Sequence, residues 1–223
     1  MANPRVYDVD AALGAAVSTN KVLRNTYMLL GITLLFSAIT AGISMVMGLP
    51  QGAALILSLV GFGLLFVVNK TADSSKGLLA IFAFTGVMGA ALGPMLNFYL
   101  AMPGGPALVL QALAGTAVVF FGLSAYALTT RKDFSFMGGF LMVGLIVAVV
   151  AMIANIFLAI PALSLTISAA VIMIMSGLIL FDTSRIINGG ETNYIRATVS
   201  LYLNIYNLFI HILHLLTALS GDD

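Results

Sequence analysis

The stretch MSGLILFDTSRIINGGETNYIRATVSLYLNIYNLFIHILH, Met175 to His214, decides the fold. Two long apolar segments meet in it across a short polar hinge, Asn188-Gly189-Gly190-Glu191-Thr192. The first segment carries Asp182, the only acidic residue set within an apolar run. The second carries Ser200, Asn204, Asn207, His211, His214 and Thr217, in steps of four, three, four, three and three. That spacing places all six on one narrow stripe of a helix whose remaining residues are mostly Leu, Ile, Tyr, Phe and Val. Hydrocarbon cannot satisfy such a stripe, so it must face protein or a wet cavity. Residues on the opposite face, such as Leu208 and Leu215, are expected to face lipid.

Working outward, the composition agrees with a membrane protein. Of 223 residues, 61% are hydrophobic and 8% charged, with a mean hydropathy of +1.13. Soluble domains carry about 25% charged residues. Cysteine is absent, which excludes a disulfide framework and thiolate metal sites. A net charge of +1, with the basic residues scattered singly, argues against nucleic-acid binding. Asp8 and Asp10 stand where a signal peptide would carry its basic region.

Residues 1–20 read as a mobile cytoplasmic tail, and residues 21–223 as an all-α domain of seven spans. The spans are expected at about Tyr27–Met47, Ala53–Asn69, Gly77–Ala101, Ala107–Thr130, Met137–Leu158, Pro161 to the hinge, and Asn193–Leu219. Gly86, Gly89, Gly93 and Pro94 in the third span predict close helix packing and a kink. Of the nine Lys and Arg, Arg5, Lys21 and Arg24 precede the first span, Lys70, Lys76, Arg131 and Lys132 lie in alternate loops, and Arg185 and Arg196 bracket the hinge; the other three loops carry none. The positive-inside rule then places the N-terminus in the cytoplasm. The polar seventh segment either spans as a bundle-centre helix or is re-entrant; spanning is the reading adopted, which leaves Asp222 and Asp223 outside.

Asp182 admits two readings. One is an ion pair with Arg185, three residues on and on the same helix face. The other is a proton- or cation-sensing carboxylate in a poorly hydrated site. His211 and His214 form an H-x-x-H pair, but zinc wants a third protein ligand and the chain has no third histidine. They read as hydrogen-bonded core histidines. Ser176 lies in no G-x-S-x-G pattern, and the last span has no lysine for a Schiff base. The chain is read as a non-enzyme without metal or cofactor.

Leu180-Phe181-Asp182-Thr183-Ser184 and Ala197-Thr198-Val199-Ser200-Leu201-Tyr202-Leu203-Asn204-Ile205-Tyr206-Asn207-Leu208-Phe209 resemble the signature of the Bax inhibitor-1 family. Lys21-Val22-Leu23-Arg24-Asn25-Thr26-Tyr27, Thr129-Thr130-Arg131-Lys132-Asp133 and Gly189-Gly190-Glu191-Thr192-Asn193-Tyr194 resemble blocks of its bacterial members, in the same order. The resemblance implies a seven-helix fold with the last helix central, placed in the bacterial inner membrane. It also implies association with the membrane protease FtsH as a modulator. Other members are described as pH-sensitive calcium leak channels, which makes a calcium or cation leak the alternative function. In those, two aspartates on the sixth and seventh spans share a proton and latch the pore. Asp182 matches the first, with Arg185 nearby; Asn204 stands where the second would be. Asn204 never ionises and can donate an amide hydrogen bond, so the expected contact is frozen in its singly charged form.

Overall fold

The structure, a computed structural model, describes the backbone from Pro4 to Gly221 and the side chains from Ser18 to Gly221. Its helices are α1 (Pro4–Val46), α2 (Gln51–Thr71), α3 (Lys76–Leu100), α4 (Gly105–Thr130), α5 (Gly138–Leu158), α6 (Pro161–Ile187) and α7 (Tyr194–Ser220), with one 3-10 turn at Ser135–Met137. Seven helices are long and apolar enough to cross a membrane. From the second span onward, each end lies within two residues of the sequence expectation, because a transmembrane helix ends where its apolar run ends.

The first helix departs from that rule. Its apolar part, ending at Val46, is long enough to cross a membrane, and helical backbone continues back to Pro4 through most of the segment read as a tail. Lys21 and Arg24, read as flanking the first span, lie within α1 and do not end the helix. The preceding Ala11, Ala12, Ala15 and Ala16 are the strongest helix formers. Residues 1–3 lie outside the described residues.

Helix α7 is the hub. It touches α1, α2, α3, α4 and α6, and none of its residues from Tyr194 to Ala218 is exposed. This corrects the expectation for Leu208. That residue is fully buried, and Leu215 is half-buried, because α7 is enclosed on every face rather than on its polar stripe alone. Lipid instead meets α2 and α5, each with only two buried residues, and exposed side chains such as Leu59, Phe62, Phe66, Phe140, Ile146 and Val150. A soluble protein does not leave so much apolar surface uncovered; a bilayer covers it.

The α1–α3 seam shows how close approach is achieved. A Cβ at Gly89 would collide with the Ser37 carbonyl oxygen, and one at Gly93 with the Ser44 hydroxyl. Only glycine lets the two backbones touch there. Pro94, one residue on, has no N–H to give to the carbonyl of Ala90. The Ser44 hydroxyl supplies the missing bond, donating to Ala90 O at 2.7 Å, and Asn97 Nδ2 donates to Met45 O at 3.1 Å. Helix α3 therefore carries its internal proline without leaving a polar group bare in hydrocarbon.

Candidate functional site

The α6–α7 hinge is built from local chain chemistry. Helix α6 ends in a Schellman motif: Gly189 adopts φ 75°, Gly189 N–H donates to Ile186 O at 3.3 Å, and Gly190 N–H to Arg185 O at 2.8 Å. Helix α7 begins at the N-cap Asn193, whose Oδ1 accepts from the N–H groups of Ile195 (2.8 Å) and Arg196 (3.1 Å). The amide of Asn193 donates to Ala72 O at 2.9 Å and Asp73 Oδ1 at 2.8 Å, and Arg196 pairs with Asp73. On the other side, Ser184 accepts from Phe134 N–H at 2.9 Å and donates to Lys132 O at 3.1 Å. Three loops, α2–α3, α4–α5 and α6–α7, are thus joined at one end of the bundle. Asp133 lies in this cap, where the Ser135 hydroxyl and N–H hold its carboxyl below the usual carboxylate range.

Just inside this cap, α6 and α7 bring Asp182 and Asn204 together. Asn204 Nδ2 donates to Asp182 Oδ2 at 2.7 Å, and Asn204 is only 4% exposed. Arg185 does not form the expected ion pair with Asp182. The Schellman turn folds the chain back so that Arg185 meets Glu191 Oε2 at 3.7 Å and donates to Gly190 O at 3.2 Å. Its guanidinium also lies 5.5 Å from the Phe181 ring centroid. The carboxylate therefore has an amide partner across the helix interface rather than a cation on its own helix.

The polar stripe of α7 does not form one continuous site. Asn207 donates to Leu203 O of its own helix at 2.8 Å. Ser200 is half-buried, one turn nearer the hinge than Asn204. His211 and His214 belong to a second cluster at the opposite end, where both Nδ1 atoms meet Ser168 Oγ, at 3.1 and 2.8 Å. They are hydrogen-bonded histidines, as their sequence setting suggested. No group of three or more His, Cys, Asp or Glu capable of holding a metal occurs among the described residues.

Two participants escaped the sequence reading. Ser168 is one. The other is Tyr202, fully buried on α7, whose hydroxyl lies 2.7 Å from Ser37 Oγ on α1 and 3.4 Å from Thr85 O on α3. Its ring packs edge-on against Phe84 at 5.6 Å. A tyrosine within a buried helix needs a partner for its hydroxyl, and that need was the one available signal. Beside it, a cavity of about 430 Å³ opens between α1 and α4 and is lined mainly by apolar side chains.

A bundle of this form, with a buried seventh helix hydrogen-bonded to the sixth through a carboxylate–amide contact, defines a polytopic all-α membrane protein built around that helix. The chain belongs to the Bax inhibitor-1 family: residues 19–221 match the family described as "Inhibitor of apoptosis-promoting Bax1". It is 58% identical to "Modulator of FtsH protease YccA" of Escherichia coli K12, over 92% of this chain and 94% of that one. It is 50% identical to an uncharacterized membrane protein of Vibrio cholerae, over 99% of this chain and the whole of that one. An uncharacterized protein of Pseudomonas aeruginosa is 46% identical over 97% of this chain and 98% of its own length.

Proposed function

We propose that this protein is a multi-pass inner-membrane protein that binds an FtsH-type membrane protease and modulates its activity, without being an enzyme itself. The observation that carries this reading is the 58% identity, over almost the full length of both chains, to the protein named a modulator of FtsH protease. The N-terminus lies in the cytoplasm in this reading, supported by the nine cations gathered at the hinge end and N-terminal side of the bundle. Residues 1–20, which precede Lys21 and Arg24, form the handle offered to the protease.

The Asp182–Asn204 contact acts as a latch between α6 and α7 in this reading. An amide where a second carboxylate would stand keeps the contact made at neutral pH, which favours a protease partner over the alternative, a pH-gated calcium or cation leak.

The test pairs two assays on the full chain. Co-purification with FtsH from membranes, a changed rate of FtsH proteolysis of a reporter substrate in proteoliposomes, and no calcium flux in the same liposomes are expected. Deletion of residues 1–20 should lengthen the protein's lifetime in cells. Calcium flux without FtsH binding would replace this reading with the leak. A reporter fused after Asp223 should be periplasmic, and a cytoplasmic signal there would overturn the orientation.

A further inference from the structure

Ser168 Oγ is shared by two imidazoles. His214 Nδ1 lies 2.8 Å from it and His211 Nδ1 lies 3.1 Å from it, and Ser168 is 2% exposed. A hydroxyl carries one hydrogen and two acceptor lone pairs. It can donate to one Nδ1 only, so the other ring must bring an Nδ1–H of its own. The neutral cluster is therefore directional: one ring donates its Nδ1–H to Ser168, and Ser168 donates to the bare Nδ1 of the other. The first ring is an Nδ1–H tautomer with an unprotonated Nε2; the second carries its hydrogen on Nε2.

We propose that His211, Ser168 and His214 form a binding site for a single proton at the end of the bundle opposite the Asp182–Asn204 latch. An incoming proton adds to the bare Nε2 of the first ring. That ring becomes an imidazolium, keeps its Nδ1–H bond to Ser168, and nothing else in the cluster has to move. A second proton is different in kind. It must take the Nδ1 lone pair that Ser168 occupies, displacing the Oγ–H···Nδ1 hydrogen bond while the hydroxyl keeps its hydrogen, and setting a second positive charge beside the first. The cluster takes up a first proton before a second, as coupled groups do.

The surroundings support access and selectivity. The cluster lines a cavity of about 340 Å³ with Asn155, Ser164 and Tyr99, which offers room and polar partners for water. Tyr99 on α3 is the one other titratable side chain lining it; α5 contributes Asn155 and no charge, and α6 contributes only the two serines besides an apolar residue. The loops at this end, residues 47–50, 101–104 and 159–160, contain no charged residue. Asp222 and Asp223 lie outside the described residues. Apart from Tyr99, no titratable side chain among the described residues lines the cavity with the two rings. The site is separate from the latch in atoms and in place, since Asn204 and His214 are ten residues apart on α7, roughly 15 Å along the helix axis. It stands whether or not the protein modulates a protease.

The chain's only two histidines are these, so 15N-histidine labelling of the full-length protein in nanodiscs observes the cluster alone. At alkaline pH the wild type should show one Nδ1–H and one Nε2–H tautomer in equal amounts. On acidification one ring should become imidazolium while the other keeps its neutral signature over at least one further pH unit. Ser168→Ala should collapse the rings to one shared tautomer with overlapping titrations, and Ser168→Thr, which retains a hydroxyl, should restore the mixed pair. Two identical tautomers in the wild type, or both rings titrating together, would overturn the proposal without any variant. A Ser168→Ala spectrum indistinguishable from the wild type would overturn it equally.

Discussion

The latch makes a quantitative demand. Asn204→Ala removes the amide that donates to Asp182 Oδ2 at 2.7 Å, and Asp182→Ala removes the acceptor. Each substitution alone also changes packing, but those terms cancel in a double-mutant cycle and leave the contact. The distance is that of a strong hydrogen bond, and a bond to a charged group contributes about 1.5–3 kcal/mol. A bond between neutral side chains across membrane helices averages about 0.6 kcal/mol. The coupling energy therefore reads the charge of Asp182 as well as the contact. With an ionised carboxylate the cycle should return about 2 kcal/mol at neutral pH, measured by reversible unfolding in mixed micelles. Near 0.6 kcal/mol it would identify a neutral acid. A coupling under about 0.3 kcal/mol, inside the scatter expected of independent sites, would mean that Asp182 and Asn204 do not hold one another and that the latch is misassigned.

Three further outcomes follow from the same geometry. Asn204→Asp places two carboxyl oxygens where an N–H···O bond stood, so the pair shares one proton or repels; its stability relative to the parent should fall between about pH 5 and 9, and parallel curves would show that position 204 does not face Asp182. Ser44→Ala should cost about 1–3 kcal/mol by leaving Ala90 O unpaired, and much less in a Pro94→Ala background, where residue 94 regains the N–H that reaches that carbonyl; equal costs in both backgrounds would refute the pairing. Asn193→Ala should lower stability by about 1–2 kcal/mol through loss of the α7 cap and should speed amide exchange in the α2–α3 loop as well as in α7; an effect confined to α7 would mean that the contacts to Ala72 and Asp73 do not tie the loops.

The spans were legible because membrane insertion is decided locally, one apolar run at a time. The central place of the last helix was legible too, since a stripe from Ser200 to Thr217 has nowhere to go but inward. What escaped were partnerships made over distance. Nothing near Tyr202 announces Ser37, and nothing near His211 announces Ser168. Leu208 misled because a stripe implies an opposite face, and a helix enclosed on all sides has none turned to lipid. Arg185 misled because i, i+3 spacing counts neighbours along a straight helix, whereas the turn at Gly189 brought Glu191 back to it. Asp182 and Asn204 were paired through the family resemblance; spacing along the chain alone does not join them.

The enclosed position of α7 also bears on biogenesis. The ribosome makes this helix after the other six, and it is the least apolar of the seven. Until it emerges, the six earlier helices have no centre: Ser37 and Thr85 wait for the Tyr202 hydroxyl, and Asp182 waits for its amide. Assembly therefore closes on its final step, with a segment whose insertion depends on partners already present in the bilayer. A chain interrupted just before Tyr194 keeps the six earlier helices but leaves Ser37, Thr85 and Asp182 without the partners that α7 supplies.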